Sequence, residues 1–258
     1  MIDAKAVICQ GAKIAENVEI GPYSVIGEKV EIGPGCKIAS HVVIEGNTKI
    51  GQHNRFFQFA AIGAIPQDKK YQGEDTRLEI GDCNIFREFC TVHTGTIQGG
   101  GLTKIGNHNL IMNYAHIAHD CVLGNGVVMS NNTSLAGHVV VDDFTVFGGF
   151  AKVVQFARLG AYSFVVANSD ISKDVLPYVM AGGIATDNKL YGLNLIGLKR
   201  HGFSEESLRV LKQAYNIILR RGLSTEQALL ELEQLARDWV EVERYIELLK
   251  NSKRGILR

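Results

Sequence analysis

The chain has 258 residues and a mass of 28.2 kDa, which is enough for one large domain or two smaller ones with a substantial core. Hydrophobic residues make up 46% and charged residues 21% of the sequence, a composition that excludes a disordered or fibrous protein. The 27 Lys and Arg residues balance the 27 Asp and Glu residues, so no overall charge favours a nucleic-acid or membrane-surface partner.

Cysteine usage and the first residues bear on the compartment. The five cysteines form no CxxC pair and are odd in number, which favours a reducing environment. The N-terminal residues lack the charged and apolar regions of a signal peptide, and no apolar run approaches the ~18 residues of a membrane span. We therefore expect a cytoplasmic protein without membrane insertion.

Large apolar residues recur every six positions along most of the chain. The register is unbroken from Ile2 to Ile62, resumes from Ile80 to Val92, and resumes again from Ile105 to Ile171. A period of six fits neither a helix nor a simple strand alternation, but it fits a short strand followed by a turn. Three such faces close a triangular coil of 18 residues, so the repeat predicts a parallel β-helix of the hexapeptide kind.

Two polar, glycine-bearing segments interrupt this repeat, at residues 64–77 and 94–103. The step from Val92 to Ile105 is 13 residues instead of six, so seven residues are inserted in the second segment. Loops on a regular scaffold are where binding and catalytic residues tend to lie. We expect both insertions to contribute to a functional site.

The repeat stops near residue 191 and the charge density rises, which predicts a β-helix over 1–191 and a helical domain over 192–258. Ser204 is a candidate cap for a helix that ends at Gly222, and Ser224 with Gln227 fits a capping box. The residues expected to face the core of this part are Leu208, Leu211, Tyr215, Ile218, Leu230, Leu235, Trp239, Val242, Ile246 and Leu249.

Coil geometry converts sequence spacing into position, because residues 18 apart stack in adjacent coils roughly 4.8 Å from each other. Asp120 then lies below His138, and His119 lies below Gly137. The residues predicted to gather along this one edge are His93, His116, His119, Asp120, Gly137, His138 and Gln155. In contrast, His41, His53 and His108 are interpreted as solvated turn residues.

The adjacent pair His119 and Asp120 suits acid–base chemistry. An imidazole can titrate near neutral pH, and a neighbouring carboxylate can fix its tautomer and raise its basicity. We interpret His119 as a candidate general base and Asp120 as the group that orients it.

Five ordered motifs narrow the function: QDKKYQGEDTR (67–77), TVHTGTIQGGGLT (91–103), IAHDC (117–121), NNTSLAGH (131–138) and GLKRHGF (197–203). Together with the hexapeptide repeat and the helical tail, they closely resemble the UDP-N-acetylglucosamine O-acyltransferases, the first enzymes of lipid A synthesis. The resemblance spans essentially the whole chain. It implies a left-handed parallel β-helix of hexapeptide repeats with a C-terminal helical domain.

The resemblance also implies a homotrimer with active sites between adjacent prisms. The donor would be an (R)-3-hydroxyacyl-acyl carrier protein, and the acceptor would be the 3-hydroxyl of UDP-N-acetylglucosamine. No cofactor is implied, and because a thioester is already activated, no metal is required. The acidic carrier protein is expected to meet the basic residues of the tail, which are Lys199, Arg200, Arg220, Arg221, Lys253 and Arg254.

Carried over by motif, His119 resembles the family's general base, Asp120 its partner, and Gly137 the donor of a backbone N–H to the thioester oxyanion. Ala167 matches the position near the floor of the acyl groove. The residues that the resemblance assigns to substrate binding are Asp68, Lys70, His93, His116, His138, Gln155, Asn194 and Arg200. No Ser or Cys stands in a nucleophile elbow, which favours direct transfer.

The chain departs from the family pattern at several positions. Val154 stands where a histidine is frequent, Thr94 where an arginine is common, and Asp75 where a proline is usual. The segment 182–188 does not match the usual turn and is two residues longer. Acyl-chain length and the choice between a 3-hydroxyl and a 3-amino acceptor therefore stay open.

Three alternatives remain at the level of sequence. In a β-helix carbonic anhydrase, histidines from neighbouring chains bind Zn²⁺, and His116, His119 and His138 could supply three ligands. An N-acyltransferase of the same pathway would use an amine acceptor and usually carries an extra N-terminal domain, whereas the repeat here starts at Ile2. A non-catalytic trimeric scaffold would use His119 for no chemistry.

Overall fold

Each six-residue repeat forms a short strand followed by a turn in the computed structural model, which describes residues 1–184 and 187–258. Strands one coil apart pair in parallel, as Val7 does with Val25 and Ile8 with Ile26. This pairing gives the 18-residue coil that the sequence predicts. The strands stack into three parallel sheets, one on each face of a triangular prism.

The described strands divide among these sheets in chain order. The first sheet contains Val7–Ile8, Val25–Ile26, Val43–Ile44, Ala61–Ala64, Thr91–His93, His116–Ile117, Ser134–Leu135, Lys152–Val153 and Asp170–Ile171. The second contains Lys13–Ile14, Glu31–Ile32, Asn47–Ile50, Arg77–Ile80, Leu102–Ile105, Val122–Leu123, Val140–Val141 and Arg158–Leu159. The third contains Glu19–Ile20, Lys37–Ile38, Arg55–Phe56, Ile85–Phe86, Leu110–Ile111, Val128–Met129, Val146–Phe147, Phe164–Val165, Val179–Gly182 and the antiparallel Lys189–Leu193.

The apolar repeat fills the inside of the prism. Every repeat position from Ile20 to Ile171 is buried, whereas Ile2 is 47% exposed because no coil lies beneath it. Buried polar side chains satisfy one another from coil to coil. Asn54 Oδ1 accepts from both nitrogens of Asn84 at 2.9 and 3.0 Å, and Asn84 Oδ1 accepts from the Asn109 amide.

Three corners join the sheets, and in most coils a corner residue lies at positive φ. The corner between the first and second sheets, here called the histidine corner, carries Asp120 and His138 at φ of 60° and 62°. The second corner, between the second and third sheets, carries Phe144 and Tyr162. The third corner, between the third and first sheets, carries an exposed aromatic ladder formed by Tyr23, His41, Phe59, Phe89 and Tyr114.

Both predicted insertions leave the prism at the histidine corner. The first lies between strands Ala61–Ala64 and Arg77–Ile80, and the second between Thr91–His93 and Leu102–Ile105. The loops are therefore slightly shorter than predicted, at 65–76 and 94–101. The second loop contains a short 3-10 turn at Ile97–Gly99.

Four helices follow the prism: α1 (Leu195–Arg200), α2 (Glu205–Leu219), α3 (Thr225–Leu235) and α4 (Glu243–Asn251), with a 3-10 turn at Val240–Val242. The Ser204 cap and the Ser224–Gln227 capping box are confirmed. Helix α2 ends at Leu219, before Gly222.

The prediction that Leu230 faces the core is wrong, because its side chain is 63% exposed. Ala228 and Leu232, four residues apart on one helix face, are buried instead. The division of the chain at residue 191 stays a prediction, and strand Lys189–Leu193 runs across it. Within the altered segment 182–188, Ala185 and Thr186 lie outside the described residues. Among the helices of the described ranges, none has the length and apolar character needed to span a bilayer.

Candidate active site

His119 and Asp120 form a buried pair where the chain turns out of strand His116–Ile117. His119 Nδ1 lies 2.7 Å from Asp120 Oδ2, and the two side chains are only 4% and 1% exposed. An ionised carboxylate can only accept, so Nδ1–H donates and the lone pair of Nε2 is left available to take a proton. This is the geometry of a general base with its orienting partner.

The second loop holds the carboxylate of Asp120 in place. Thr96 N–H donates to Asp120 Oδ1 at 2.8 Å, and Thr96 Oγ1–H donates to Oδ2 at 2.6 Å. The Asp120 N–H in turn donates to Thr103 Oγ1 at 2.8 Å. Sequence analysis missed the contacts of both threonines. The only signal that could have found them is their presence in the motif TVHTGTIQGGGLT.

Gly137 brings the main chain of the next coil directly against the imidazole of His119. A Cβ atom added at Gly137 would lie 2.7 Å from His119 Nε2 and closer still to Cε1, so only glycine fits here. His138 N–H donates to the His119 carbonyl at 3.0 Å, which fixes the two coils. The predicted stacking of Gly137 over His119 and of His138 over Asp120 is confirmed.

His138 completes this cluster from above. Its ring stacks on Phe156 at 4.5 Å, and its Nδ1 lies 3.6 Å from Asp120 Oδ2. Burial lowers the pKa of His138; Asp120 and Asp68 raise it, and Lys70 lowers it. The half-buried Asp68 and the exposed Lys70 of the first loop therefore lie within electrostatic reach of this histidine.

His93 and His116 form a second pair on the same face, with ring centroids 4.9 Å apart in an edge-to-face arrangement. Burial lowers the pKa of His93 to about 4, with further lowering from His116 and His119. The pKa of His116 is also lowered by burial, and its Nδ1 is hydrogen-bonded to Thr91 Oγ1 at 2.7 Å. The Nδ1 atom of His93 is buried without a partner in the described structure. Both rings are neutral at pH 7.

Not all predicted residues lie at the histidine corner. Gln155 is exposed on this corner, one coil beyond Gly137. Asn194 caps α1, and its Nδ2 donates to the carbonyl of Tyr162 at the second corner, where the exposed Arg200 ends the same helix. Ala167 is exposed beside the third corner and packs against Gly148. One chain therefore presents these residues on three different corners.

The departures Thr94 and Val154 have structural roles in this chain. Thr94 is buried and its Oγ1 accepts a hydrogen bond from Thr76 Oγ1 at 3.2 Å. Val154 is partly buried and packs against the core.

For one chain to supply all three zinc ligands, His116, His119 and His138 would have to converge. Within the described ranges, the group with metal-compatible spacing is instead His119, Asp120 and His138. His116 is outside this group, and both oxygens of Asp120 already accept hydrogen bonds. The donor set is that of a hydrogen-bonded pair and differs from the three-histidine site.

Comparisons with known proteins agree with this architecture. Residues 174–257 match the family model for UDP N-acetylglucosamine O-acyltransferase, domain 2, and residues 11–46 and 102–137 match the bacterial transferase hexapeptide model. The acyl-(acyl-carrier-protein)–UDP-N-acetylglucosamine O-acyltransferases of Thiobacillus denitrificans and Pseudomonas entomophila are 53% and 51% identical over 257 residues, covering 100% of this chain and 99% of each relative.

Solved structures give the same result. The UDP-N-acetylglucosamine acyltransferase of Francisella novicida has a TM-score of 0.96 at 40% identity, covering 100% of this chain and 94% of that one. The O-acyltransferase of Moraxella catarrhalis has a TM-score of 0.95 at 45% identity, covering 100% and 99%. The predicted left-handed β-helix with C-terminal helices is confirmed, as is the predicted acyltransferase class. The chain belongs to the UDP-N-acetylglucosamine O-acyltransferase family.

Proposed function

We propose that the chain transfers an (R)-3-hydroxyacyl group from acyl carrier protein to the 3-hydroxyl of UDP-N-acetylglucosamine, the first step of lipid A synthesis, in the cytoplasm. The observation that carries this proposal is the buried His119–Asp120 pair beneath the main chain of Gly137. It occurs in a chain 53% identical to an enzyme whose name contains both substrates.

The pair supports direct transfer by general-base catalysis. His119 Nε2 removes the proton of the sugar hydroxyl while the hydroxyl oxygen attacks the thioester carbonyl carbon. As the C–O bond forms, the carbonyl oxygen becomes an oxyanion, which the Gly137 N–H stabilises. Collapse of this intermediate breaks the C–S bond, and His119 returns the proton to the departing thiolate. Asp120 stabilises the imidazolium between these two steps.

The residues around the pair suit a nucleotide sugar. Asp68 and Lys70 supply an acceptor for sugar hydroxyls and a cation for phosphate, and both lie within electrostatic reach of His138. His93, His116 and His138 offer neutral ring nitrogens, because burial lowers the pKa of each. Gln155 adds an exposed amide at the same corner. Arg200 would bind a nucleotide phosphate, and Asn194 would bind substrate beside it.

The distribution of these residues supports the proposal of a homotrimer with shared sites. The base lies at the histidine corner, Arg200 and Asn194 lie near the second corner, and Ala167 lies beside the third. Corners of one rigid prism cannot converge on a single ligand. A site that uses all three groups therefore needs corners from neighbouring copies.

Mixing inactive variants tests the shared site. His119→Ala and Arg200→Ala lie on different corners, so a mixed trimer contains sites in which both halves are intact, and activity should return. Asp68 lies near His138 of its own chain, so mixing His119→Ala with Asp68→Ala is the matched control and should restore nothing. No restoration with either pair, or a fully active monomer in sedimentation, would contradict the shared site.

Carrier-protein binding should be partly electrostatic. Lys199 and Arg221 pair with Glu205 and Glu231, and Arg200 is assigned to the nucleotide, which makes Arg220, Lys253 and Arg254 the stronger candidates for contact with an acidic carrier. Salt should raise the KM for the acyl carrier protein more than the KM for the sugar nucleotide. Equal salt dependence of the two constants would argue against this assignment.

Product analysis tests the whole proposal. Purified protein is incubated with UDP-N-acetylglucosamine and a panel of 3-hydroxyacyl-acyl carrier proteins of different chain lengths, and the products are identified by mass spectrometry. A singly acylated, 3-O-linked sugar nucleotide is the expected product. A parallel incubation replaces UDP-N-acetylglucosamine with its 3-amino analogue. Acylation of the analogue alone, or of neither acceptor with any donor, would overturn the proposal.

A further inference from the structure

Thr96 makes an unusual pair of contacts for a loop residue. It is fully buried, and it donates both its amide and its hydroxyl hydrogen to the two oxygens of one carboxylate, that of Asp120. The same Asp120 oxygen that accepts from Thr96 Oγ1 also accepts from His119 Nδ1. Thr96 is therefore one hydrogen bond removed from the imidazole.

The rest of the loop shapes this contact. Gly101 N–H donates to the Thr96 carbonyl at 2.7 Å and closes the turn. A side chain at Gly99 would collide with the Asp120 carboxylate, so the loop main chain lies directly on that group. Thr103, at the end of the loop, receives the Asp120 N–H. The inserted segment thus fixes Asp120 twice, with Thr96 holding its carboxylate and Thr103 holding its main-chain N–H.

These contacts determine how Asp120 meets His119. A carboxylate whose oxygens both accept from Thr96 is held against rotation, so Oδ2 stays where it receives Nδ1–H of His119. This arrangement selects the imidazole tautomer whose Nε2 carries the lone pair. We propose that Thr96 is a positioning residue of the acyl-transfer reaction, acting through Asp120 to set the tautomer and orientation of His119.

Three variants at Thr96 and Thr145 test this inference. Thr96→Val keeps the shape but removes the hydroxyl, and kcat should fall about 10- to 100-fold, the range found when the partner that orients a metal-binding histidine is lost. KM for the sugar nucleotide should change little, because the fully buried Thr96 presents no surface to a substrate. Thr96→Ser keeps the hydroxyl and should restore most of the lost turnover. The matched control is Thr145→Val, which also removes a fully buried hydroxyl, bonded to the carbonyls of Asp142 and Gly160, and should leave kcat unchanged.

A double-mutant cycle separates positioning from general structural damage. In an Asp120→Ala background, Thr96→Val should cost no further turnover, because the group through which it acts is gone. An equal loss in both backgrounds would overturn the inference. So would Thr96→Val protein that is folded and retains the parent kcat.

A spectroscopic measurement needs no catalytic activity. The ¹⁵N signals of the His119 imidazole in the parent protein should report a protonated Nδ1 and an unprotonated Nε2 at neutral pH, and in Thr96→Val the two tautomers should mix. An Nε2–H tautomer in the parent would overturn the inference even if Thr96→Val failed to fold. The kinetic tests rest on the proposed function, whereas this one does not. A parent that transfers no acyl group but shows the expected tautomer would refute the function alone.

Discussion

The histidine corner and the third corner of the prism have the same backbone geometry at their turns, but their histidines differ in burial and in hydrogen bonding. His41 at the third corner stacks between Tyr23 and Phe59, with ring centroids 5.1 Å away on each side, and is exposed. His119 at the histidine corner is buried against Gly137 and bonded to Asp120. Coil geometry alone therefore places histidines in a stack but gives them no chemistry.

The insertions account for the difference. Loops 65–76 and 94–101 both leave at the histidine corner, and the second covers Asp120 with two donors from Thr96. Burial at this corner lowers the pKa of His93, His116 and His138. The regular coils set the distances between side chains at a corner. The inserted loops add the burial and hydrogen bonds that distinguish the histidine corner as a candidate site.

The largest effect should come from His119→Ala, because it removes the proposed general base. Turnover should fall by about 10²- to 10⁴-fold, the usual contribution of a positioned acid or base. The control is His41→Ala, which changes an exposed histidine of the aromatic ladder at the third corner and should leave turnover unchanged. Steady-state kinetics and circular dichroism check both variants, and near-parent turnover in folded His119→Ala protein would refute the assignment.

Gly137→Ala should come next. The added methyl group would collide with the His119 ring and displace it, and a shift of about 1 Å at a reacting group can cost roughly a hundredfold in rate. Gly149 occupies the matching turn position at the third corner, where an added Cβ meets only Asn131 O at 3.4 Å. Gly149→Ala should therefore retain activity. Equal kcat values for the two variants would show that the close approach at Gly137 is catalytically irrelevant.

Acid should destabilise the protein through His93. Burial lowers the pKa of His93 to about 4 from the ordinary value of 6.5, so between these values the unfolded chain binds a proton that the folded chain does not. Above pH 6.5 the neutral ring of His93 makes its full contribution to the free energy of unfolding, and this contribution is lost as the pH falls. At pH 5 the loss from this group is about 2 kcal/mol.

Denaturant titrations of the parent and His93→Gln at pH 7.5 and pH 5, at one protein concentration, measure this effect. His93→Gln should lose less stability on acidification than the parent does. His41→Gln, changed at an exposed ring, should behave as the parent. An unchanged pH dependence in His93→Gln would show that His93 is not the group that titrates.

The smallest effect concerns acyl length. Ala167→Gly should extend the donor preference and Ala167→Met should shorten it. Burying one methylene group contributes about 0.8 kcal/mol, which corresponds to roughly a fourfold change in the ratio of kcat/KM between a longer and a shorter donor. Competition between donors of different length in one reaction gives the ratio directly. A uniform loss for all donors in both variants would place the length determinant elsewhere.

The prism could be predicted well from the sequence because the apolar residues that form its core recur at a fixed period. A repeat of six fixes which residues face inward, and a coil of 18 fixes which residues stack, so the contacts of His119 with Gly137 and of Asp120 with His138 followed from arithmetic. The Thr96 contact could not be predicted this way, because a loop of unknown path has no register. Leu230 was misplaced for a related reason, since a small error in helical phase turns a residue out of the core.

The positive-φ position at each corner also restricts which residues can evolve there. Eighteen non-glycine residues of the described chain occupy it, and they are Asn, Asp, His, Cys or aromatic, with no β-branched residue among them. Side chains branched at Cβ are strongly disfavoured in this conformation. Asp120 and His138 are thus drawn from the few acid–base side chains that the corner tolerates. A β-helix that evolves new catalysis at these corner positions can therefore use only a few residue types. Carboxylate and imidazole side chains are among them, whereas a β-branched threonine has to be supplied by an inserted loop.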